Sequence, residues 1–274
     1  MIALHSTLAL LTLAAHPSDL DEVTFVQTSR PGLILSGYVD AGYLYNFTSR
    51  SGGSTIQNRL NNDGSPGGRF SLHAAKLVLE KPLPDENRWA GGFRADVMIG
   101  EDAAFFGQNA AGTDSLYLQQ AFALLRLPVG NGIDLAVGKY QSLIGFEAEE
   151  RPANLNITPG IVSLIDPGWL VGGYAVYPLN DNVGLALGLG NGNGVDGLLS
   201  SSTPPGDFLA ITGFLEITNP EGNALLQTGF YTAPNGDPGY LNPLDAPPLR
   251  RSNLAIWNTF GTWAPQAAGD RLLL

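Results

Sequence analysis

The chain has 274 residues, a net charge of −11, no cysteine and 14% charged residues, against about 25% in an ordinary soluble domain. The acidity argues against a nucleic-acid partner, which needs a basic face. The missing thiols exclude disulfides, thiolate metal sites and cysteine nucleophiles. With 35 Gly and 19 Pro the composition also speaks against a helical protein, and the length suits two soluble domains or one large barrel.

No run of about 20 apolar residues occurs, so no transmembrane helix is expected. Residues 8–15, LALLTLAA, end in small residues as a signal h-region does, although residues 1–7 contain no Lys or Arg and only His5. We expect 1–15 to be a signal peptide, the alternative being a short N-terminal helix. Residues 16–32 are polar and Pro-ended and read as a linker.

Residues 33–47, LILSGYVDAGYLYNF, alternate. Leu33, Leu35, Val39, Ala41, Tyr43, Tyr45 and Phe47 share one face, and Ser36, Asp40 and Asn46 the other. Alternation of period two is the mark of an extended strand with one apolar and one polar face. The aromatic end suits a membrane-interface girdle, or the core of a sandwich strand. A Ser/Gly/Asn loop comes next, at 48–68. The strand at 69–80 is ambiguous in register. His73 shares a face with Leu77 and Leu79, Lys76 shares the other with Glu80, and the second pair is read as inward.

The clearest strand is 89–100, WAGGFRADVMIG. Trp89, Gly91, Phe93, Ala95, Val97 and Ile99 are uncharged, and Arg94 and Asp96 stand opposite them. A long loop at 101–114 leads to a strand at 115–127 with Gln120 and Arg126 on one face. After the short turn PVGNG, 133–140 sets Ile133, Leu135 and Val137 against Asp134, Ala136 and Gly138. Strands at 169–177 and 183–191 flank the turn PLNDN. The second has Leu outside and Gly or Ala inside, so something packs close on its inner face. Further strands are expected at 208–218 (Thr212, Glu216 and Thr218 inward), 223–232 and 249–263, the last with Trp257 and Trp263 on one face.

These are about ten strands of the length a tilted membrane strand needs. Short turns and long loops alternate between them, which an outer-membrane barrel requires and a soluble sandwich does not. The expected fold is all-β, an antiparallel up-and-down transmembrane β-barrel over 33–274. Residues 271–274 open a strand that does not continue, so the chain reads as incomplete at its C-terminus.

Little else points to chemistry. Residues 192–197, GNGVDG, match G-x-G-x-x-G but lead into no helix, so a glycine-rich loop outweighs a dinucleotide site or a calcium turn. Three histidines and no G-x-S-x-G elbow give no triad or zinc site. No catalytic, cofactor or metal residue is expected, and no enzyme. The inward charges Asp40, Arg94, Asp96, Arg126, Asp134 and Glu216 are read as pore-lining. The long connection 141–166 mixes Leu143, Ile144 and Phe146 with Glu147, Glu149, Glu150 and Arg151. A constriction loop inside the barrel mouth is one reading of it; a solvated extracellular loop, a strand continued through Phe146 and a paired-carboxylate catalyst at the acidic cluster are the others.

The phrases LVLEKPLP (77–84), GFRAD (92–96) with Gly100-Glu101-Asp102, AVGK (136–139) and LIGFE (143–147) resemble the outer-membrane β-barrel porins of the OmpL-like type. Their order and spacing carry the resemblance, which spans about 33–193 and departs after Glu147. It implies a bacterial outer-membrane barrel that passes small hydrophilic solutes or ions. Lipid would surround it, and self-association into a homo-oligomer is compatible with it. The alternatives are a non-conducting structural or adhesive barrel and a soluble carbohydrate-binding sandwich.

Overall fold

A computed structural model of the protein describes residues 26–27, 32–46, 67–103, 116–148, 150, 152, 154, 168–191, 209–233 and 254–264. The segments expected to be a signal peptide, 1–15, and the GNGVDG loop, 192–197, lie outside them. The strands are β1 (Val26–Gln27), β2 (Ile34–Asn46), β3 (Gly67–Lys81), β4 (Ala90–Ile99), β5 (Leu116–Leu127), β6 (Ile133–Gln141), β7 (Trp169–Asn180), β8 (Val183–Asn191), β9 (Leu209–Thr218), β10 (Ala224–Ala233) and β11 (Leu254–Trp263). Each pairs antiparallel with its neighbours in chain order, so one up-and-down sheet runs from β1 to β11. The ten long strands are those the alternation predicts. β1 is a two-residue bridge inside the segment read as linker. Among the described residues the two outer strands are not joined, and the sheet is an open arc.

Its two faces differ as the alternation requires. Val39, Val137 and Trp257 are 65–72% exposed on one face, while Ala136, Ala186 and Ala210 are buried on the other. A protein in water does not leave such a continuous apolar face bare. Exposed aromatics sit at both rims. Tyr43, Phe70 and Trp257 lie toward the long-loop end, with the Tyr43 and Phe70 rings 4.8 Å apart. Trp89 and Trp263 lie at the short-turn end.

Two bulges explain where the sequence pattern falters. The β2–β3 register shifts between Asp40 and Ala41, leaving His73 as the extra residue of β3. The β4–β5 register shifts between Asp96 and Val97, leaving Gln119 extra in β5. A bulge sets two residues against one and changes the parity of everything beyond it. Phe70 and Leu72 therefore face outward before the bulge and Leu77 and Leu79 after it, and His73 and Ala74 are both buried between. The parity that grouped His73 with Leu77 fails for this reason, and Lys76 and Glu80 do point inward.

The arc is strongly curled. Phe146, in the connection after β6, stacks edge-on against Phe260 of β11 at 5.2 Å. Glu150, four residues on, contacts Lys76 of β3. Flat, β3 and β11 would stand eight strand spacings, roughly 38 Å, apart. Four residues of chain reach at most about 14 Å, so the sheet must bend toward a barrel to bring both strands to this one connection.

At the short-turn end asparagines tie neighbouring turns together. Asn87 donates to the Gly130 carbonyl at 3.0 Å, Asn131 to the Pro178 and Leu179 carbonyls at 3.0 Å, and the Thr218 amide to the Asn182 carbonyl at 2.8 Å.

Candidate functional site

The inner wall carries a compact charge network centred on Asp96, a fully buried carboxylate. Arg94 lies two residues away on the same face of β4, so its guanidinium reaches back bidentately, at 2.7 and 2.9 Å. Lys76, buried on β3, lies 2.9 Å from the carboxylate's Oδ2. Gln120, placed inward beside the β5 bulge, donates to the same oxygen at 3.1 Å. Arg94 also reaches Glu80 at 3.2 Å. A buried carboxylate is tolerated only when its charge is matched and its lone pairs are filled, and Asp96 meets both conditions.

Toward the short-turn end Arg126 grips Asp134 through two bonds of 2.6 Å. It also donates to the Pro84 carbonyl in the β3–β4 turn. Asp40 is half-buried on β2 and has an interaction of its own. Glu216 is inward on β9.

The connection after β6 enters this interior. Its base is closed by the Ser142 amide donating to the Gly168 carbonyl at 3.1 Å. Two inward glycines make room for Leu143 and Ile144. A β-carbon at Gly188 would stand 3.2 Å from Leu143 Cδ1, and one at Gly229 would stand 2.7 Å from Ile144 Cγ2. Gln227 of β10 holds the Leu143 carbonyl at 3.3 Å. Ile144 is buried in one apolar cluster with Phe122, Tyr140, Leu170 and Tyr231. Asn154 and Ala148 then exchange bonds of 2.7 and 2.8 Å that fold the chain back, and Glu150 contacts Lys76. Residues 142–148 and 150 thus form a strap from the β8–β10 wall to the β3 wall. The Asp96 network touches both of its ends: Gln120 accepts from the Gln141 amide at 3.1 Å, and Lys76 binds Glu150.

Of the residues the sequence singles out, the structure gathers Arg94, Asp96 and Glu150 into one network and keeps Arg126 with Asp134 as a separate pair. Asp40 and Glu216 stand elsewhere on the inner face. Glu147 is half-buried in the strap with an interaction of its own. Glu149 and Arg151 lie outside the described residues. Sequence reasoning did not single out Lys139, which shares outward parity with Val137. It is buried, donates to the Leu118 carbonyl at 2.7 Å and lies 4.5 Å from the Tyr117 ring centre. No local signal marks it, because the register runs unbroken through Gly138 and Lys139 and Tyr140 keeps the inward parity.

A curled up-and-down sheet, apolar outside and holding charges and a strap of its own chain inside, defines an antiparallel β-barrel protein. The sequence accords with that class. It matches the family described as "Putative beta-barrel porin-2, OmpL-like" over residues 32–268, and the chain belongs to this family. No curated protein matches it.

Proposed function

We propose that this protein is a non-enzymatic porin of a bacterial outer membrane, passing small hydrophilic solutes or ions by passive diffusion along the inner face of its barrel. The observation that carries the reading is the concentration of charge on one face of a sheet whose other face is apolar. Such a sheet fits lipid outside and water inside. In this reading Asp40, Arg94, Asp96, Arg126, Asp134 and Glu216 line the pathway, and Glu147 and Glu150 stand where the strap narrows it. The test is ionic conductance of the full chain in a planar bilayer. Discrete steps are expected, enlarged when residues 147–156 are deleted. A folded, inserted barrel without conductance would overturn the reading.

One observation favours a second reading, a barrel that does not conduct. The strap seats Ile144 in an apolar cluster on the inner face, and an apolar filling excludes water. In that case deleting 147–156 leaves the barrel closed. A requirement for detergent in solution separates both readings from a soluble sandwich.

A further inference from the structure

The acids of the inner face are not equivalent. Asp96, Glu80, Glu150 and Asp134 are each in contact with Lys76, Arg94 or Arg126. Asp134 is matched one to one by Arg126 and contributes little field, whereas Asp96, Glu80 and Glu150 share Lys76 and Arg94 and keep one negative charge in excess as a group. Glu216 stands apart. Its Oε2 is buried and meets no hydrogen-bond donor, and it has no ion-pair partner among the described residues.

The neighbours explain why. The inward cross-strand partner of Glu216 on β8 is Gly184, which has no side chain, and a β-carbon placed there would meet nothing within 4 Å. Its partner on β10 is Gln227, whose amide donor is turned to the Leu143 carbonyl. The strap rests further along the same strands, at the level of Gly188 and Thr212. Beside Glu216, on the short-turn side of the strap, the missing side chain of Gly184 leaves open space, and among the described residues no group donates to its buried Oε2. Leaving a half-buried carboxylate uncompensated is costly. A hydrated small cation is the partner of matching charge.

We infer that Glu216 makes the pathway prefer monovalent cations over anions, its charge standing unshared beside the single excess charge of the Asp96 network. The inference rests on the pore reading for its consequence, but its local content can be tested without conduction.

Reversal potentials in a KCl gradient are the first measurement. The full chain is expected to prefer K⁺. Glu216→Gln should lower the permeability ratio at least twofold, and Glu216→Lys should lower it further. A conducting Glu216→Gln channel that keeps the original ratio overturns the inference and leaves the pore intact. No conductance in any form overturns the pore reading.

The second measurement uses the absence of cysteine from the chain. Gly184→Cys places one thiol beside Glu216. Cationic methanethiosulfonate reagents should modify it roughly tenfold faster than anionic ones, since a fixed charge concentrates its counter-ions. Adding Glu216→Gln should remove the difference. Equal rates with Glu216 intact, or no modification from water, would sink the inference whether or not the barrel conducts.

Discussion

Lys76 on β3 and Glu150 in the strap are 74 positions apart in sequence and in direct ionic contact. Lys76 also holds Asp96, so this ammonium joins the strap to the most buried carboxylate of the wall. Removing one member of such a buried set is worse than removing all of it, because the survivors keep charge without a partner. Lys76→Met is expected to destabilise the barrel by about 3–5 kcal/mol. Urea unfolding in detergent would measure this. A change below about 1 kcal/mol, the worth of an exposed pair, would mean that Asp96 does not depend on Lys76.

The glycines under the strap give a contrast within one strand. Gly188→Val puts methyl groups where Leu143, Tyr174 and Thr212 already pack and should dislodge the strap's apolar end. Gly184→Ala meets nothing and should be neutral. Limited proteolysis between residues 142 and 150 should be faster in the first variant and unchanged in the second. Equal protection in both would place Leu143 somewhere other than over Gly188.

Arg126 fixes the short-turn rim through Asp134 and the Pro84 carbonyl. Arg126→Lys keeps the charge but loses the planar fork. A loss of about 1.5–3 kcal/mol is expected, the range for hydrogen bonds to charged groups. Full stability in the lysine variant would show that charge alone suffices there.

On the outer face, Leu187→Arg in the middle of β8 should cost about 2–4 kcal/mol, and Val183→Arg at its short-turn end about 0–1 kcal/mol. The measurement is folding free energy into lipid vesicles. Costs independent of position along the strand would argue that this face does not meet lipid.

The strands were legible because alternation is local. β8 falls on the residues expected for it, and the small inner side chains of 183–191 announced a close packing partner, which proves to be Leu143 above Gly188. Bulges are less legible. Nothing in SLHAAK or YLQQAF marks His73 or Gln119 as an added residue, because the bulge is fixed by what the neighbouring strand offers. The partner of Glu150 was out of reach for a different reason, since no local pattern encodes a contact across 74 positions. Thr212 shows the limit of reading polarity as accessibility. It was expected on a watery wall, yet it is fully buried and its hydroxyl donates to the Phe230 carbonyl at 3.0 Å.

The strap sits between β6 and β7 in the chain, but its landing places lie on both sides of it in order of synthesis. Lys76 precedes it, whereas Gly188 and Gly229 come after it. A barrel built strand by strand from the N-terminus can seat Glu150 as soon as β6 is in place. The seats of Leu143 at Gly188 and of Ile144 at Gly229 must wait for β8 and β10, although Ile144 can already meet Phe122 and Tyr140. Contacts that close long stretches of chain form slowly, because the loop entropy is lost before any packing is gained. In an assembly of that order the strap would be held first at its Lys76 end, and its seats on Gly188 and Gly229 would be completed only when β8 and β10 arrive.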